Sequence, residues 1–356
     1  MMSRGGNQVM RIGEVELGDR TLVIAEVGSN HCGDENVARK SLLAAAESGA
    51  DAVKFQMYDP EKLIDATTPV LSYIAQTHQT QRERFRSLRL SRDIFLELAD
   101  LAKRKGVLFL VTPFDEEAVD FLDPLVPAFK IASGDLTNAR LLKRVVETKK
   151  PVIVSTGFAA VEEIDWLVRQ IPKPQLCLMH CVGAYPTPPE HVHLEAIRFL
   201  KDKYGVPVGF SDHTAGITAA MAAVAKGASL IEKHFLLSRD LPAADVGLSV
   251  TPEEFCEMVK GIRQIERMNG TYGKSVQPSE EYFRVQLRRS VYAARNLRAG
   301  EILNEKDVMP LRPFVPDGIE AREIASLEGR TVRVPVDKDQ PLFPGALGDR
   351  TSRSKP

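Results

Sequence analysis

Along residues 1–268, short runs of apolar and β-branched residues alternate with longer segments whose apolar positions recur at helical spacing. The runs are "TLVIAEVG" (21–28), "AVKFQMY" (52–58), "VLFLVTPF" (107–114), "AFKIAS" (128–133), "PVIVSTG" (151–157), "LCLMHCV" (176–182), "PVGFSDH" (207–213) and "LIEKHF" (230–235). Each reads as a strand. The segments between them, such as "DENVARKSLLAAAESG" and "SRDIFLELADLAKRKG", open on a cap-like or acidic residue and close on Gly or Lys, as helices do. A last such segment, "TPEEFCEMVKGIRQIERM", follows the eighth run. Eight alternating pairs predict an α/β fold, a closed (β/α)8 TIM barrel rather than an open doubly wound sheet.

The pattern breaks in two places. Residues 59–90, rich in Thr, Gln and Arg, form an unusually long connection after the second strand, of the kind that serves as a lid or a subunit contact. Near residue 269 the stretch "NGTYGKSVQPSEEY" carries turn signals and no sustained period, so 269–286 reads as a linker. Residues 287–349 then combine short strands with frequent turns, a small β-rich domain, and 350–356 read as a disordered tail.

Active sites of such barrels lie at the C-terminal ends of the strands. Here those ends carry Glu26, with Asn30 and His31 beyond it; Lys54 and Gln56; Thr112; Lys130, Ser133 and Asp135; Ser155 and Thr156; Tyr185; Ser211, Asp212 and His213; and Lys233 and His234. A barrel core would prefer Val, Ile and Leu, so this polar set predicts a catalytic mouth. Residues two apart share a face of a strand, which pairs Lys54 with Gln56 and Ser211 with His213, and turns Asp212 the other way. His213 and His234, ending adjacent strands, could share one divalent metal with a carboxylate such as Glu26. Mn²⁺ suits that mixed nitrogen and oxygen set, with Zn²⁺ or Co²⁺ as alternatives and Mg²⁺ less natural. A single strand-end histidine is more often structural; two on neighbouring strands reverse that weighting. Lys54 and Lys130 sit in apolar strands, where lysine needs a partner. Either they form an internal salt bridge, with Glu26 the obvious candidate, or they clamp an anion together with the hydroxyls of Thr112, Ser133, Ser155 and Ser211. A Schiff-base lysine is a third reading, against which the histidine pair speaks.

Composition narrows the class. The chain has 356 residues and a formal net charge of −1, which carries no electrostatic footprint for nucleic acid or an anionic membrane. Its four cysteines, Cys32, Cys177, Cys181 and Cys256, lack the second pair of a zinc site and read as free thiols in a reducing compartment. The N-terminus lacks the apolar core of a signal peptide and no run is long enough to span a membrane, so a cytoplasmic location is expected.

The segments "IAEVGSNHCGD", "GADAVKFQ", "TPFD", "KIASGDLTN", "VIVSTG", "HCVGAYPTPPEHVHL", "GFSDHT" and "IEKHF" together resemble the sialic acid synthase family, the enzymes that make nonulosonic acids. The tail "RRSVYAARNLRAGE…LRP…GI…LEGR" is similar to that family's antifreeze-like (SAF) domain, and the likeness covers about residues 18–348. It implies condensation of phosphoenolpyruvate with the open-chain aldehyde of an N-acylated hexosamine, such as N-acetylmannosamine or a 2,4-diacetamido relative. The products would be a nine-carbon 3-deoxy-2-keto acid and phosphate. N-acetylneuraminate, legionaminate and pseudaminate all stay open as products; a pyruvate-dependent aldolase is a more distant alternative.

By the same resemblance, His213 and His234 hold the metal and Glu26 is the catalytic carboxylate. Lys54, Thr112, Lys130, Ser133, Ser155 and Ser211 match phosphoenolpyruvate contacts. Gln56, Asp135, Tyr185 and Asp245 match positions facing the sugar. Arg312, in "PLRPF", matches an arginine that the SAF domain of the partner subunit supplies in a domain-swapped homodimer. Three departures stand out. Gly183 replaces the Asn or Ser often found two residues before the tyrosine, Asp135 replaces a Glu, and "LPAAD" (241–245) replaces a "PGPD"-like loop.

Overall fold

The computed structural model describes residues 10–71 and 78–350. Eight parallel strands close on themselves: β1 (Leu22–Gly28), β2 (Ala52–Met57), β3 (Leu108–Pro113), β4 (Phe129–Ile131), β5 (Val152–Ser155), β6 (Leu176–Cys181), β7 (Val208–Asp212) and β8 (Leu230–His234). Each pairs with the next in sequence, and β8 returns to β1 with His234 opposite Glu26. This is the TIM barrel that the alternation predicts.

The helices form where the sequence supplies their ends. Helix α1 (Glu35–Glu47) starts at Asp34, whose carboxylate accepts from the amides of Asn36 and Val37. Helix α2 (Arg92–Lys105) is capped by Ser91, carries Lys103, Arg104 and Lys105 in its last turn, and stops at Gly106 with φ of 70°. Helices α3 (Glu116–Leu122), α4 (Ala139–Glu147), α5 (Val161–Gln170), α6 (Glu195–Tyr204) and α7 (Thr218–Ala225) follow β3 to β7 in turn. Helix α8 (Pro252–Asn269) opens with a capping box between Thr251 and Glu254 and with Pro252 in its first turn.

The period of two sorts each strand into two environments. Val23, Ala25 and Val27 face outward into the main apolar core with the helices, while Leu22 and Ile24 face the barrel axis. At the N-terminal end of the barrel, Met10, Ile12 and Leu17 of a short antiparallel hairpin pack on Leu22, Ala52, Leu110, Ile153 and Leu230 and plug that end. Gly209 is required in this layer, because a Cβ there would stand 2.8 Å from Leu230. Among the described residues, the plug closes this end and leaves the C-terminal end of the strands open.

Outside the barrel axis lies one buried ion pair. Lys233 Nζ donates to Asp212 Oδ2 at 3.0 Å and to the Thr214 carbonyl at 2.6 Å, and both charged side chains are 0% exposed. Asp212 therefore turns away from the mouth as its position implies, and Lys233, counted among the polar strand ends, turns away with it.

The chain divides after Gly270 into two compact units. The second has its own core, including Val291, Leu297, Val308, Ile319 and Leu342, and two antiparallel strand pairs, Ser290–Ala293 with Val308–Leu311 and Arg330–Val332 with Leu347–Arg350. Within 269–286, read as a linker, a helix begins and runs over Glu281–Leu287. Beyond Arg350 the expected tail lies outside the described residues, and among those described no helix is long and apolar enough to cross a membrane.

Removing one partner of the Lys233–Asp212 pair leaves an uncompensated buried charge. Lys233→Met is expected to lower unfolding free energy by about 3–5 kcal/mol, and the double change Lys233→Met with Asp212→Leu to recover most of that. Chemical denaturation checks both; a single variant as stable as the parent would show the pair to be dispensable.

Candidate active site

Above the apolar plug, the axis-facing positions turn charged. Lys54 Nζ lies 2.9 Å from Glu26 Oε2 and 3.6 Å from Glu232 Oε2, and donates to Thr112 Oγ1 at 3.1 Å. Lys130 Nζ donates to Ser155 Oγ at 2.6 Å and stands 3.7 Å from Glu232 Oε1, which also accepts from Ser211 Oγ at 3.0 Å. All of these side chains are buried. The salt bridge offered by the sequence as the alternative to an anion clamp is thus formed between Lys54 and Glu26. Burial works against the Glu232 carboxylate, but Lys130 and Lys54 outweigh it and hold its pKa down to about 2. Lys54 is pushed up by Glu232 and Glu26 against burial, whereas burial and repulsion from Lys54 pull Lys130 down despite Glu232.

Glu232 is the residue that sequence reading missed. It sits two residues before His234 on β8, on the same face, and that spacing was the signal available.

The mouth holds the histidines. The rings of His213 and His234 meet at 5.3 Å between centroids, and Tyr185 stacks on His213 at 4.2 Å. His213 Nδ1 lies 2.9 Å from the Val182 carbonyl, which fixes the ring and leaves Nε2 for a ligand. Burial, helped by repulsion from His234, lowers the His213 pKa to about 3, so its imidazole is neutral as a metal ligand must be. Asp245 Oδ2 lies 3.4 Å from His234 Nδ1; burial opposes charge on His234, but Asp245 and then Glu26 outweigh it and raise its pKa. Among the described residues no group of three or more His, Cys, Asp or Glu gathers as a complete metal cage. The donor set therefore fits a metal as two imidazoles, with the remaining positions left for oxygen ligands from substrate or water.

Gln56 Nε2 donates to Glu26 Oε1 at 2.7 Å, so both oxygens of that carboxylate are held, one by an amide and one by Lys54. These residues line one cavity of about 260 Å³ together with Thr112, Lys130, Ser133, Ser155, Ser211, Tyr185 and Asp245. Ser133 Oγ accepts from the Gly157 amide at 3.0 Å. Asp135 is not in the lining; it is half-buried and bonded to Asn138 Nδ2 at 3.1 Å. Arg312 is an exposed residue of the second unit, directly after the strand Val308–Leu311. Asn30 and His31 are structural: Asn30 donates to the Phe235 carbonyl and to Ser249, and His31 accepts from the Gly33 amide.

One part of the wall comes from the segment read as a lid or subunit contact, and another was not foreseen. Part of the long connection after β2, through Leu71, Gln81, Arg84 and Phe85, borders the cavity, and residues 72–77 of it lie outside those described. The space that Gly183 leaves is filled, because a Cβ there would stand 2.0 Å from the ring of Phe158. Phe158 adopts φ of 64°, is 73% exposed and lines the cavity, so an aromatic edge stands where a polar side chain was expected.

Residues 42–274 match the NeuB family and residues 288–347 match the SAF domain. An uncharacterised protein of Methanocaldococcus jannaschii is 41% identical over 96% of this chain and 99% of its own length. The N,N'-diacetyllegionaminic acid synthase of Legionella pneumophila is 38% identical over 86% of this chain and 89% of its own. Among solved structures, the N-acetylneuraminic acid synthetase of Leptospira borgpetersenii superposes with a TM-score of 0.71 at 33% identity, over 78% of this chain and 95% of that one. A barrel whose charged floor lies beneath a histidine pair, followed by a separate β-rich unit, thus belongs to the NeuB family of phosphoenolpyruvate-dependent nonulosonic acid synthases, with a C-terminal SAF domain.

Proposed function

We propose that this chain joins phosphoenolpyruvate to the open-chain aldehyde of an N-acylated hexosamine, with a 2,4-diacetamido hexose favoured over N-acetylmannosamine. The observation that carries the reaction is the single cavity in which His213 and His234 stand over Lys54, Lys130 and Glu26. The choice of sugar leans on the legionaminic acid synthase likeness.

Membership of the NeuB family implies a divalent metal. Held by His213 and His234, it would be Mn²⁺ in this reading, with Mg²⁺ or Co²⁺ as alternatives, and would supply Lewis acidity to the aldehyde oxygen. Lys54, Lys130 and the hydroxyls of Thr112, Ser133, Ser155 and Ser211 bind the phosphate and carboxylate of phosphoenolpyruvate and hold its carbon 3 toward the aldehyde. The C2=C3 electron pair bonds carbon 3 to the aldehyde carbon as the aldehyde C=O opens to a hydroxyl, water adds at the electron-poor carbon 2 and gives up a proton, and the adduct loses phosphate by C–O cleavage as its carbon-2 hydroxyl becomes the keto group of the 2-keto acid. Glu26, held through Gln56 and Lys54, takes the proton of that water. Gln56, Tyr185 and Asp245 face the sugar; Asp135, outside the lining and bonded to Asn138, would have to turn to reach it. Arg312 of a domain-swapped partner subunit would complete the sugar site.

Phosphate release from phosphoenolpyruvate with Mn²⁺, across 2-acetamido and 2,4-diacetamido hexoses, is the direct test. Absence of release with every sugar, for folded and metal-loaded protein, would remove the synthase reading. Trapping of Lys130 by borohydride with pyruvate would put an aldolase in its place.

His213→Ala should lower metal-dependent turnover by more than about 100-fold while thermal unfolding stays near the parent value; full activity would refute the ligand assignment. Gly183→Ala should push the Phe158 ring out of the cavity wall. Because that ring is already largely exposed, stability should fall by less than about 1 kcal/mol, while KM shifts to the value found for Phe158→Ala. Independent, additive effects of the two changes would show that Gly183 and Phe158 do not act as a unit.

A further inference from the structure

Lys54, Lys130, Glu26, Glu232, Asp245 and Arg84 are the lysine, arginine and carboxylate side chains that line the catalytic cavity. The first five are engaged with one another or with His234 and Ser155 within 4 Å. Arg84 is the exception. Its guanidinium makes no hydrogen bond or ion pair among the described residues; it lies only over the ring of its neighbour Phe85, 5.6 Å from the centroid.

That isolation is not the looseness of a surface arginine. Arg84 sits in the middle of the helix Gln81–Leu88, whose start is fixed by a capping box between Thr80 and Glu83. The flanking arginines tie the helix down. Arg82 bonds to the Ile64 carbonyl and to Glu61, Arg86 bonds to Glu61, and Phe85 packs edge-on against Tyr58 at 5.2 Å. Of the three arginines in this helix, Arg82 and Arg86 find carboxylates on the protein, and the one that faces the cavity finds none. Asp245, an acid of the same wall, forms no ion pair with Arg84 and instead approaches His234.

A half-buried guanidinium with five donors and no acceptor is an incomplete site. We propose that Arg84 is a substrate-binding residue whose guanidinium takes an oxyanion of a substrate on the wall above the floor lysines. The inference rests on the synthase reading for the identity of the substrates. Two of their groups share the required chemistry: the carboxylate or phosphate of phosphoenolpyruvate, and an anionic substituent, such as a phosphate ester, on the hexosamine. Through the second, Arg84 would decide whether the enzyme selects a charged sugar over a neutral one.

The test compares Arg84→Met and Arg84→Lys with the parent in the full-length, Mn²⁺-loaded protein, with Arg86→Met as a control on the same helix. KM is measured for phosphoenolpyruvate, for a neutral 2-acetamido hexose and for its 6-phosphate. Equilibrium binding of phosphoenolpyruvate and of the 6-phosphate is measured by calorimetry. Loss of a charge-assisted contact predicts a weakening of about 10- to 100-fold in Arg84→Met, less in Arg84→Lys, and little change in Arg86→Met. A rise in the phosphoenolpyruvate KM with either sugar would assign the oxyanion to phosphoenolpyruvate. A loss of preference for the phosphorylated sugar would assign it to the sugar. KM and binding constants within twofold of the parent for every ligand, in folded Arg84→Met, would overturn the proposal. If the parent turns over neither these sugars nor a 2,4-diacetamido hexose, the synthase reading fails by itself, and the binding of phosphoenolpyruvate and of the 6-phosphate still decides whether Arg84 holds an oxyanion.

Discussion

Two ammonium groups and two carboxylates share the middle of this barrel, and the rest of the site is arranged around that constraint. A lysine in an apolar strand is tolerated only when its charge is met nearby, and here Glu232 stands between Lys54 and Lys130 while Glu26 closes on Lys54 from the next strand. Breaking one member of such a set costs about 3–5 kcal/mol, a large share of the roughly 5–15 kcal/mol that keeps a domain folded. The layer is therefore structural before it is functional. The ammonium groups are held in place by Glu26, Glu232, Thr112 and Ser155, so neither has to be drawn in from solvent.

The barrel was legible because its signal is repeated. Eight buried strands alternate with helices of helical period, so the pattern stays recognisable even where one element is weak. The same alternation placed Lys54 with Gln56 and Ser211 with His213 on the axis, and turned Asp212 outward to Lys233. Residues whose position follows from the parity of a strand are readable from sequence to the level of a face.

What was not legible depends on contacts between segments distant in sequence. Glu232 shares a face with His234, two residues on, but parity alone does not report the two lysines on other strands that make its charge part of the site. Gly183 looked like a lost contact, since a glycine in a sequence says only that a side chain is absent. What fills the space is Phe158, twenty-five residues earlier, held at a positive φ that composition does not predict. Asp135 follows a short strand, where a 3-10 turn over Ser133–Asp135 ends the alternation and carries its carboxylate to Asn138 instead of the cavity lining. Arg312 belongs to a separate compact unit, and no periodicity within a chain reports on what another unit or subunit brings.

The floor and the upper wall of this cavity are built from different kinds of structure. Glu26, Lys54, Lys130, Ser155, Ser211, Glu232 and His234 are strand residues whose positions are set by the hydrogen-bonded register of a closed barrel, and His213 directly follows β7. A closed register cannot slip in one strand without displacing its neighbours, so the reacting groups are fixed to one another. Tyr185, Phe158, Arg84 and Asp245 come from connections after the strands, whose lengths and sequences can change without disturbing that register. Gly183 with Phe158, and Arg84 on its capped helix, therefore lie in the part of the cavity wall that can change while the strand register beneath it stays fixed.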